Sequence, residues 1–549
     1  MQVVIPMSGY GERFRRAGYA VPKPLIEVDG KPIIAHVVDL FPQVERLLLI
    51  CNREHLDEPS FRLAERLRKV APSAEIVAIA PHRLGPVHAV LQAAGRLDRD
   101  MPTIVNYCDF ACIWDFARFR RFIETTAPDG AVVCYRGFHP HMLSSTNYAY
   151  VREREGWIQD IQEKQPFTRT PMQEFASSGT YYFASGALAL AACQRTVDED
   201  ISLDGEYYVS LAYKPLLADR RRIAVYEIQH FMQWGAPEDL AEYRAWSAAF
   251  RRLAEPAAPA RQAGATLVPM AGSGSRFAAA GQVLPKPLIP VSGRPMALQA
   301  VAHLPEAERR VFVLRRDLPE RQAIAAALEA AYPAARLVVL EGATDGQART
   351  CLLALDAVAA EAPLTIAACD TGALYDTAAL EALLAEPEAD VVVWAARGHA
   401  PAVRRPEMYG WIDADEEGRI RAVSVKTPLA EPRRDPIIIG TFSFRRAADF
   451  RAAAERMIER RALINGEYYV DTCINDAVAL GLDCRIFEID HYLCWGTPEE
   501  LKAFEYWQSC FEQWPSHPYA LARDVHVPAA AATELAARYR AWRPYHPKA

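Results

Sequence analysis

A chain of 549 residues is longer than one ordinary domain of roughly 100–200 residues, and 51% hydrophobic residues suffice for more than one full core. Lys+Arg 62 against Asp+Glu 69 gives a formal charge of −7 with no basic block, which excludes a general nucleic-acid binder. No run reaches the ~18 apolar residues of a membrane span, and the eleven cysteines contain no C-x-x-C pair, which argues against a disulfide framework or a zinc site.

Met1 leads into the apolar run Val3-Val4-Ile5-Pro6 without a basic segment or a long apolar stretch, so no secretory signal is read and a cytoplasmic location is expected. Val3–Pro6 reads as a strand and Ser8–Arg16 as the loop after it. Leu47–Cys51, Ile76–Ala80, Thr103–Asn106 and Ala131–Tyr135 read as further strands, with helical stretches Phe61–Val70 and Val87–Leu97 between them. Strands alternating with helices predict an α/β fold, a mostly parallel mixed sheet with helices on both faces. Such sheets bind ligands beyond the carboxyl ends of their strands.

The second half repeats the first. Val4-Ile5-Pro6-Met7-Ser8-Gly9-Tyr10-Gly11-Glu12-Arg13-Phe14 returns as Leu267-Val268-Pro269-Met270-Ala271-Gly272-Ser273-Gly274-Ser275-Arg276-Phe277. Gly9 and Gly272 lie 263 positions apart, as do Arg13 and Arg276, and Lys23 and Lys286. Further along, Asp109 and Asp370, Gly179 and Gly440, and Trp234 and Trp495 lie 261 apart, and Lys164 and Lys426 lie 262 apart. One register held over so long a stretch is a whole-domain duplication, since solenoids repeat every 20–50 residues or so. The expected boundaries are a first domain over 1–250, an Ala/Pro/Arg linker over 251–263 with little to bury, a second domain over 264–507 and a tail over 508–549. The tail carries a helical stretch, Ala529–Ala537, and is expected to pack on the second copy.

The chemistry gathers after the strands. Gly9 and Gly11 allow backbone angles and close approach that other residues resist. Successive N–H groups, from Met7 and Ser8 onward, then converge as a phosphate ligand requires. Arg13 adds a permanent forked charge, and Lys23 sits on stiff backbone between Pro22 and Pro24. A tight turn is the bland alternative. Against it stands the recurrence of the whole assembly with Met270, Ala271, Gly272, Gly274, Arg276 and Lys286. Neither the G-x-G-x-x-G of Rossmann folds nor Walker A fits these residues. Asp109, at the end of the apolar strand Thr103–Val105, and its partner Asp370 are placed to hold Mg²⁺; a turn or cap aspartate is the alternative.

G-x-G-x-R-F followed by P-K-P-L-I resembles the signature of the sugar-phosphate nucleotidyltransferases, the nucleotide-sugar pyrophosphorylases. The resemblance covers roughly residues 1–246 and 264–507. It implies a Rossmann-like fold and the reaction of an NTP with a sugar-1-phosphate to give an NDP-sugar and pyrophosphate, for surface polysaccharide or glycan precursors. It implies that the glycine loops with Arg13 and Arg276 hold the triphosphate, and that Lys23 and Lys286 meet phosphate near the reacting centre. It assigns Asp109 and Asp370 to the metal. Gln162-Glu163-Lys164 before Gly179 resembles the family segment in which Glu meets sugar hydroxyls and Lys the sugar phosphate; Lys426 and Gly440 are the second-copy counterparts. Gly85 and Gly346 resemble the helix start beside the base. The paired tyrosines Tyr207-Tyr208 and Tyr468-Tyr469, in a G-E-Y-Y segment, Gly205–Tyr208, that recurs as Gly466–Tyr469 at the same 261 spacing, either line the substrate pocket or pack in the core.

Two departures qualify the resemblance. The family often carries a second metal-binding Asp before a terminal G-T, and neither 230–236 nor 491–497 has Asp in the usual place. Val425 replaces Glu163 in the second copy. The acceptor therefore stays open between a sugar phosphate and a small phosphorylated alcohol used with CTP, such as phosphocholine or glycerol phosphate. The second copy stays open between a transfer site with its own acceptor and a regulatory or structural module. The base and the oligomeric state, homo-oligomer included, are not encoded in these motifs.

Overall fold

The computed structural model describes residues 1–255 and 258–548. These form two compact units: Met1–Ser247 with Gln513–His517 and the tail from Arg538, and Ala248–Glu512 with Pro518–Ala537.

The first unit is built on a nine-stranded sheet. Gln2–Met7 lies third in its order and is buried on both faces, which is why it must be covered on both sides. It pairs in parallel with Arg46–Asn52, which pairs in parallel with Glu75–Ile79. On its other side Thr103–Asn106 runs parallel to it. Beyond that, Phe175–Phe183 runs antiparallel to both Thr103–Asn106 and Gly130–Tyr135. Ile223–Glu227 and the hairpin Ala149–Arg154/Trp157–Glu163 complete the sheet. The order is that of a doubly wound α/β sheet with an antiparallel far side.

Helix periodicity supplies the cover. Leu63–Val70 buries Leu63 and Leu67, one turn apart. Phe116–Thr126, capped by the Asp115 side chain on Arg118 N, buries Phe116, Phe119, Phe122 and Ile123. Each such side chain contributes about 2 kcal/mol of burial. Two expected helices are shorter than their pattern. Arg62 at φ 46° delays the start of Leu63–Val70, and Pro86–Gln92 gives way to a 3₁₀ turn, Ala94–Arg96, around Gly95.

The second unit repeats the plan. Arg261–Pro269 is the central strand, parallel to Glu306–Arg315 and Leu364–Ala367. Ile437–Phe444 runs antiparallel between Leu364–Ala367 and Val391–Ala396. The hairpin Gly410–Ala414/Ile420–Val425 joins it. In both units the long antiparallel strand changes register near a glycine, Gly179 at φ +93° and Gly440 at φ +81°.

The stretch expected as a linker is shorter than the sequence suggests. Helix Pro237–Ala254 and strand Arg261–Pro269 reach into it, and Ala260 is fully buried in an apolar cluster. Pro256 and Ala257 lie outside the described residues. The tail, expected on the second copy, is divided. Ala529–Arg540 is the expected helix, three residues longer, and Ala531 rests on Gly293 of the second unit. The last residues serve the first unit instead: Tyr545 stacks on Phe175 with ring centroids 5.6 Å apart, and Tyr545 O accepts from Glu227 N at 2.9 Å. Among the described residues no helix is long and apolar enough to cross a membrane.

Candidate active site

The loop after the central strand of the first unit opens a cleft of about 490 Å³. It lies at the carboxyl ends of Gln2–Met7 and Thr103–Asn106, where the sheet direction changes. Met7, Ser8, Gly9, Gly11, Arg13, Lys23, Gly85 and Asp109 all line it, so the positions read from the glycine loop, the P-K-P segment and the strand-end aspartate converge.

Each glycine has a different reason to be there. Gly11 sits at φ +63°, where only glycine is unstrained, and begins the short helix Glu12–Arg16. Gly85 sits at φ +86°, and a Cβ there would stand 2.8 Å from both the N and the O of Tyr207. Gly9 has neither excuse: its φ is not positive and nothing lies within 4 Å of where a Cβ would be. Gly272 in the second unit is the same, while Gly274 (φ +63°) and Gly346 (φ +130°) repeat Gly11 and Gly85.

Lys23 Nζ donates to Asp109 Oδ2 at 2.7 Å. Both side chains are about four-fifths buried. Burial works against the ammonium, but the Asp109 carboxylate outweighs it and the lysine pKa is raised. Asp109 is fixed from behind, since Trp234 N donates to Asp109 O at 3.0 Å. Gly235 leaves room over it, with Asp109 Oδ2 3.0 Å and Gln233 Nε2 3.2 Å from where a Cβ would stand. Arg13 is exposed and has no ion-pair partner among the described residues.

The second unit reproduces this centre. Lys286 pairs with Asp370 and its pKa is raised against the opposing effect of burial. Trp495 N donates to Asp370 O at 2.9 Å. Arg276, like Arg13, is exposed and unpaired among the described residues.

The residues expected on the acceptor side are placed less directly. Lys164 Nζ donates to Tyr208 Oη at 2.7 Å, and Tyr208 Oη donates to Glu206 Oε2 at 2.5 Å; Tyr208 and Glu206 line the cleft. Ser210 Oγ donates to Glu163 Oε2 at 2.5 Å. Burial pushes the Glu163 pKa up, against the pull of Ser210 and Lys164. Lys426 Nζ donates to Met408 O at 2.6 Å.

Four positions support or pack behind the site. Gly179 leaves room for the Tyr107 ring, 2.9 Å from a would-be Cβ, and accepts from Tyr107 N; Gly440 does the same for Ala368. Of the tyrosine pairs, the first member packs or supports. Tyr207 Oη donates to Asp200 and its backbone cradles Gly85, while Tyr468 is 5% exposed in the core. The second members, Tyr208 and Tyr469, are the ones near Lys164 and Lys426.

Tyr208, of the first tyrosine pair, lines the cleft; Tyr10, His82, Arg83, Tyr107 and Glu206 line it too without being singled out from the sequence. Arg83 bonds Glu12 at 2.6 Å; the same places in the second copy hold Thr344 and Ser275, which cannot pair. The signal for Tyr208 was the G-E-Y-Y repeat; Arg83 belongs to one copy only and left none.

The model of the MobA-like NTP transferase domain matches residues 3–173 and again 266–502. The chain belongs to that family. Its MobA-like domain occurs twice in tandem, as the repeat and the two sheets require. Among curated relatives, the bifunctional protein GlmU of Ralstonia pickettii is 34% identical over 110 residues, 20% of this chain and 22% of that protein. The GlmU of Bacillus thuringiensis is 25% identical over 230 residues, 42% and 47%. The chain thus spans from about a fifth to about half the length of the curated relatives it matches. Similar solved structures include a nucleoside-diphosphate-sugar pyrophosphorylase from Vibrio cholerae, at 19% identity and TM-score 0.36 over 44% of this chain and 98% of that one. An inositol-1-phosphate CTP transferase from T. maritima is 15% identical at TM-score 0.36 over 44% and 94%.

Proposed function

We propose that this chain is a Mg²⁺-dependent nucleotidyltransferase that joins an NTP to a sugar-1-phosphate, releasing pyrophosphate. The observation that carries this reading is the open space at Gly9 and Gly272. The fold has no use for a missing side chain there, so the glycines serve a ligand that approaches the backbone. Beside each stand an arginine with no ion-pair partner among the described residues and a buried lysine–aspartate pair, the equipment for a polyphosphate.

In this reading the N–H groups of 7–11 and the Arg13 guanidinium hold the β- and γ-phosphates. Lys23 donates to the α-phosphate as charge builds there. Glu163 accepts from acceptor hydroxyls, and Lys164, released from Tyr208, meets the acceptor phosphate. An acceptor phosphate oxygen attacks the α-phosphorus in line, the bond to the bridging oxygen breaks, and pyrophosphate leaves with the electron pair. No general base is required, because the attacking oxygen is already anionic.

The residues fit the metal. Each centre offers one carboxylate at a strand end, and among the described residues no group of three or more His, Cys, Asp or Glu could hold an ion alone. Mg²⁺ suits that poverty, since it takes one or two carboxylates with substrate phosphates and water. Asp109 and Asp370 would hold it, and it would supply charge neutralisation at the transferring phosphate.

The test is pyrophosphate release by the full chain across NTPs and phosphorylated acceptors, small phosphorylated alcohols included. The expected result is turnover with one NTP–sugar-phosphate pair. Turnover only with a phosphorylated alcohol would move the chain to the cytidylyltransferase reading, and no nucleotide binding with Mg²⁺ present would end the enzymatic one.

A further inference from the structure

The second copy departs from the first at three positions that touch one another. In the first, Glu163 ends the strand Trp157–Glu163, pairs in register with Ala149 and accepts from Ser210. In the second, Val425 ends the equivalent strand and pairs in register with Gly410. Asp471 follows Tyr468-Tyr469-Val470 as Ser210 follows Tyr207-Tyr208-Val209.

Backbone hydrogen bonds confirm the correspondence. Tyr207 N donates to Leu84 O and Tyr207 O accepts from Val87 N; Tyr468 N donates to Asp345 O and Tyr468 O accepts from Ala348 N. Lys164 and Lys426 are also equivalent. Both hold an unusual positive φ, 57° and 63°, and donate their N–H to Tyr148 O and Tyr409 O.

The three changes compensate one another. Losing Glu163 to Val425 removes a carboxylate from the strand; exchanging Ser210 for Asp471 restores one from the facing segment. A Cβ at Gly410 would stand 2.5 Å from Asp471 Oδ2, so the alanine of the first copy would collide and glycine goes with the aspartate. Independent drift in an idle module has no reason to keep a carboxylate beside this lysine. Asp471 interacts electrostatically with Lys426, and Lys426 with Arg276 of the glycine loop. Ser210 engages one oxygen of Glu163, whereas Asp471 receives no hydrogen bond from another described residue.

We infer that the second copy is a transfer site in its own right, and that Asp471 stands in for Glu163 as the carboxylate that reads the acceptor. The acceptor it fits is a phosphorylated small molecule bearing hydroxyl donors, held by Lys426 at the phosphate and by both oxygens of Asp471 at the hydroxyls. The carboxylate is one methylene shorter and comes from the opposite wall, so this acceptor differs from that of the first copy. The inference rests on the nucleotidyltransferase reading.

The experiment uses the full chain carrying Asp109→Ala, which silences the first copy, and the same NTP-by-acceptor screen. The expected result is an acceptor-dependent turnover that survives Asp109→Ala. Adding Asp471→Ser, or the isosteric Asp471→Asn should the serine variant not fold, raises the KM for that acceptor about tenfold or more while the KM for nucleotide holds. Adding Gly410→Ala, Val425→Glu and Asp471→Ser together shifts preference toward the wild-type first-copy acceptor. Wild-type turnover abolished entirely by Asp109→Ala overturns the inference and leaves the proposed function standing. An unchanged acceptor KM in a folded Asp471 variant overturns it as well. No turnover in the wild type fails the proposed function itself.

Discussion

Lys23 with Asp109 and Lys286 with Asp370 make the same ion pair, on backbones tethered by the same hydrogen bonds from Trp234 and Trp495. Glu163 with Ser210 and Val425 with Asp471 do not make the same contact. The first kind of position is dictated by backbone: a glycine at φ +63°, a lysine held next to it, an aspartate hung on a strand end. Such positions cannot be exchanged one for another. The second kind is dictated by where charge sits, and a carboxylate can reach the same lysine from either wall. The half of each centre built on the glycine loop has therefore stayed fixed while the half around Lys164 and Lys426 has been rewired.

Breaking the shared half should have the largest effect. Asp109→Ala is expected to lower first-copy turnover by at least about 100-fold, with Asp370→Ala doing the same to the second copy's acceptor spectrum. Pyrophosphate release measured with each acceptor separates them; equal loss with every acceptor in both variants would make the two copies one functional unit. Gly85→Ala comes next. Its Cβ would meet the Tyr207 backbone at 2.8 Å with φ at +86°, so a loss of about 3 kcal/mol in unfolding free energy is expected by denaturant titration. Gly9→Ala should leave that stability unchanged and weaken nucleotide binding about tenfold or more.

The rewired half gives smaller effects. Burial raises Asp471 to about 6 despite Lys426, above the ~3.9 of a free aspartate. The fold therefore favours its neutral form, and the stability it contributes is fully present below about pH 4 and lost as pH rises through about 6. Asp471→Asn should accordingly melt higher than wild type above pH 7, with the difference closing toward pH 4; Glu163, which burial also pushes up, should give Glu163→Gln a difference of the same sign. Smallest of all, Arg83→Ala removes an exposed pair with Glu12, and a change of about twofold in first-copy nucleotide affinity is expected. Thr344→Ala should change nothing in the second copy's affinity.

The parts legible in the sequence were those that recur. The glycine loops, the P-K-P lysines and the strand-end aspartates were fixed by one register, and the cleft gathers the first-copy set as expected. Asp471 was invisible because its meaning lies in a neighbour more than forty positions earlier, Val425, across a strand hairpin that only the folded chain brings opposite. The sequence leaves each tyrosine pair open between pocket and core, and in the fold it is the second members, Tyr208 and Tyr469, that approach the lysines. A pair of adjacent tyrosines gives no sign of which ring turns inward, since successive residues point to opposite sides. The division of the tail was illegible for a similar reason: Gly156 and Phe175 prepare its seat hundreds of residues before Tyr545 arrives.

That seat has a consequence for synthesis. Pro547 fills the space left by the absent side chain of Gly156, and Tyr545 closes over Phe175 and caps Glu227 N. The first copy's sheet is translated in full before residue 250, yet one border of it, at Glu227 and Phe175, is finished only by residues made after the second copy. An emerging chain therefore cannot complete its halves one after the other, as tandem domains ordinarily do. The first must wait, unsealed along that border, through the whole translation of the second.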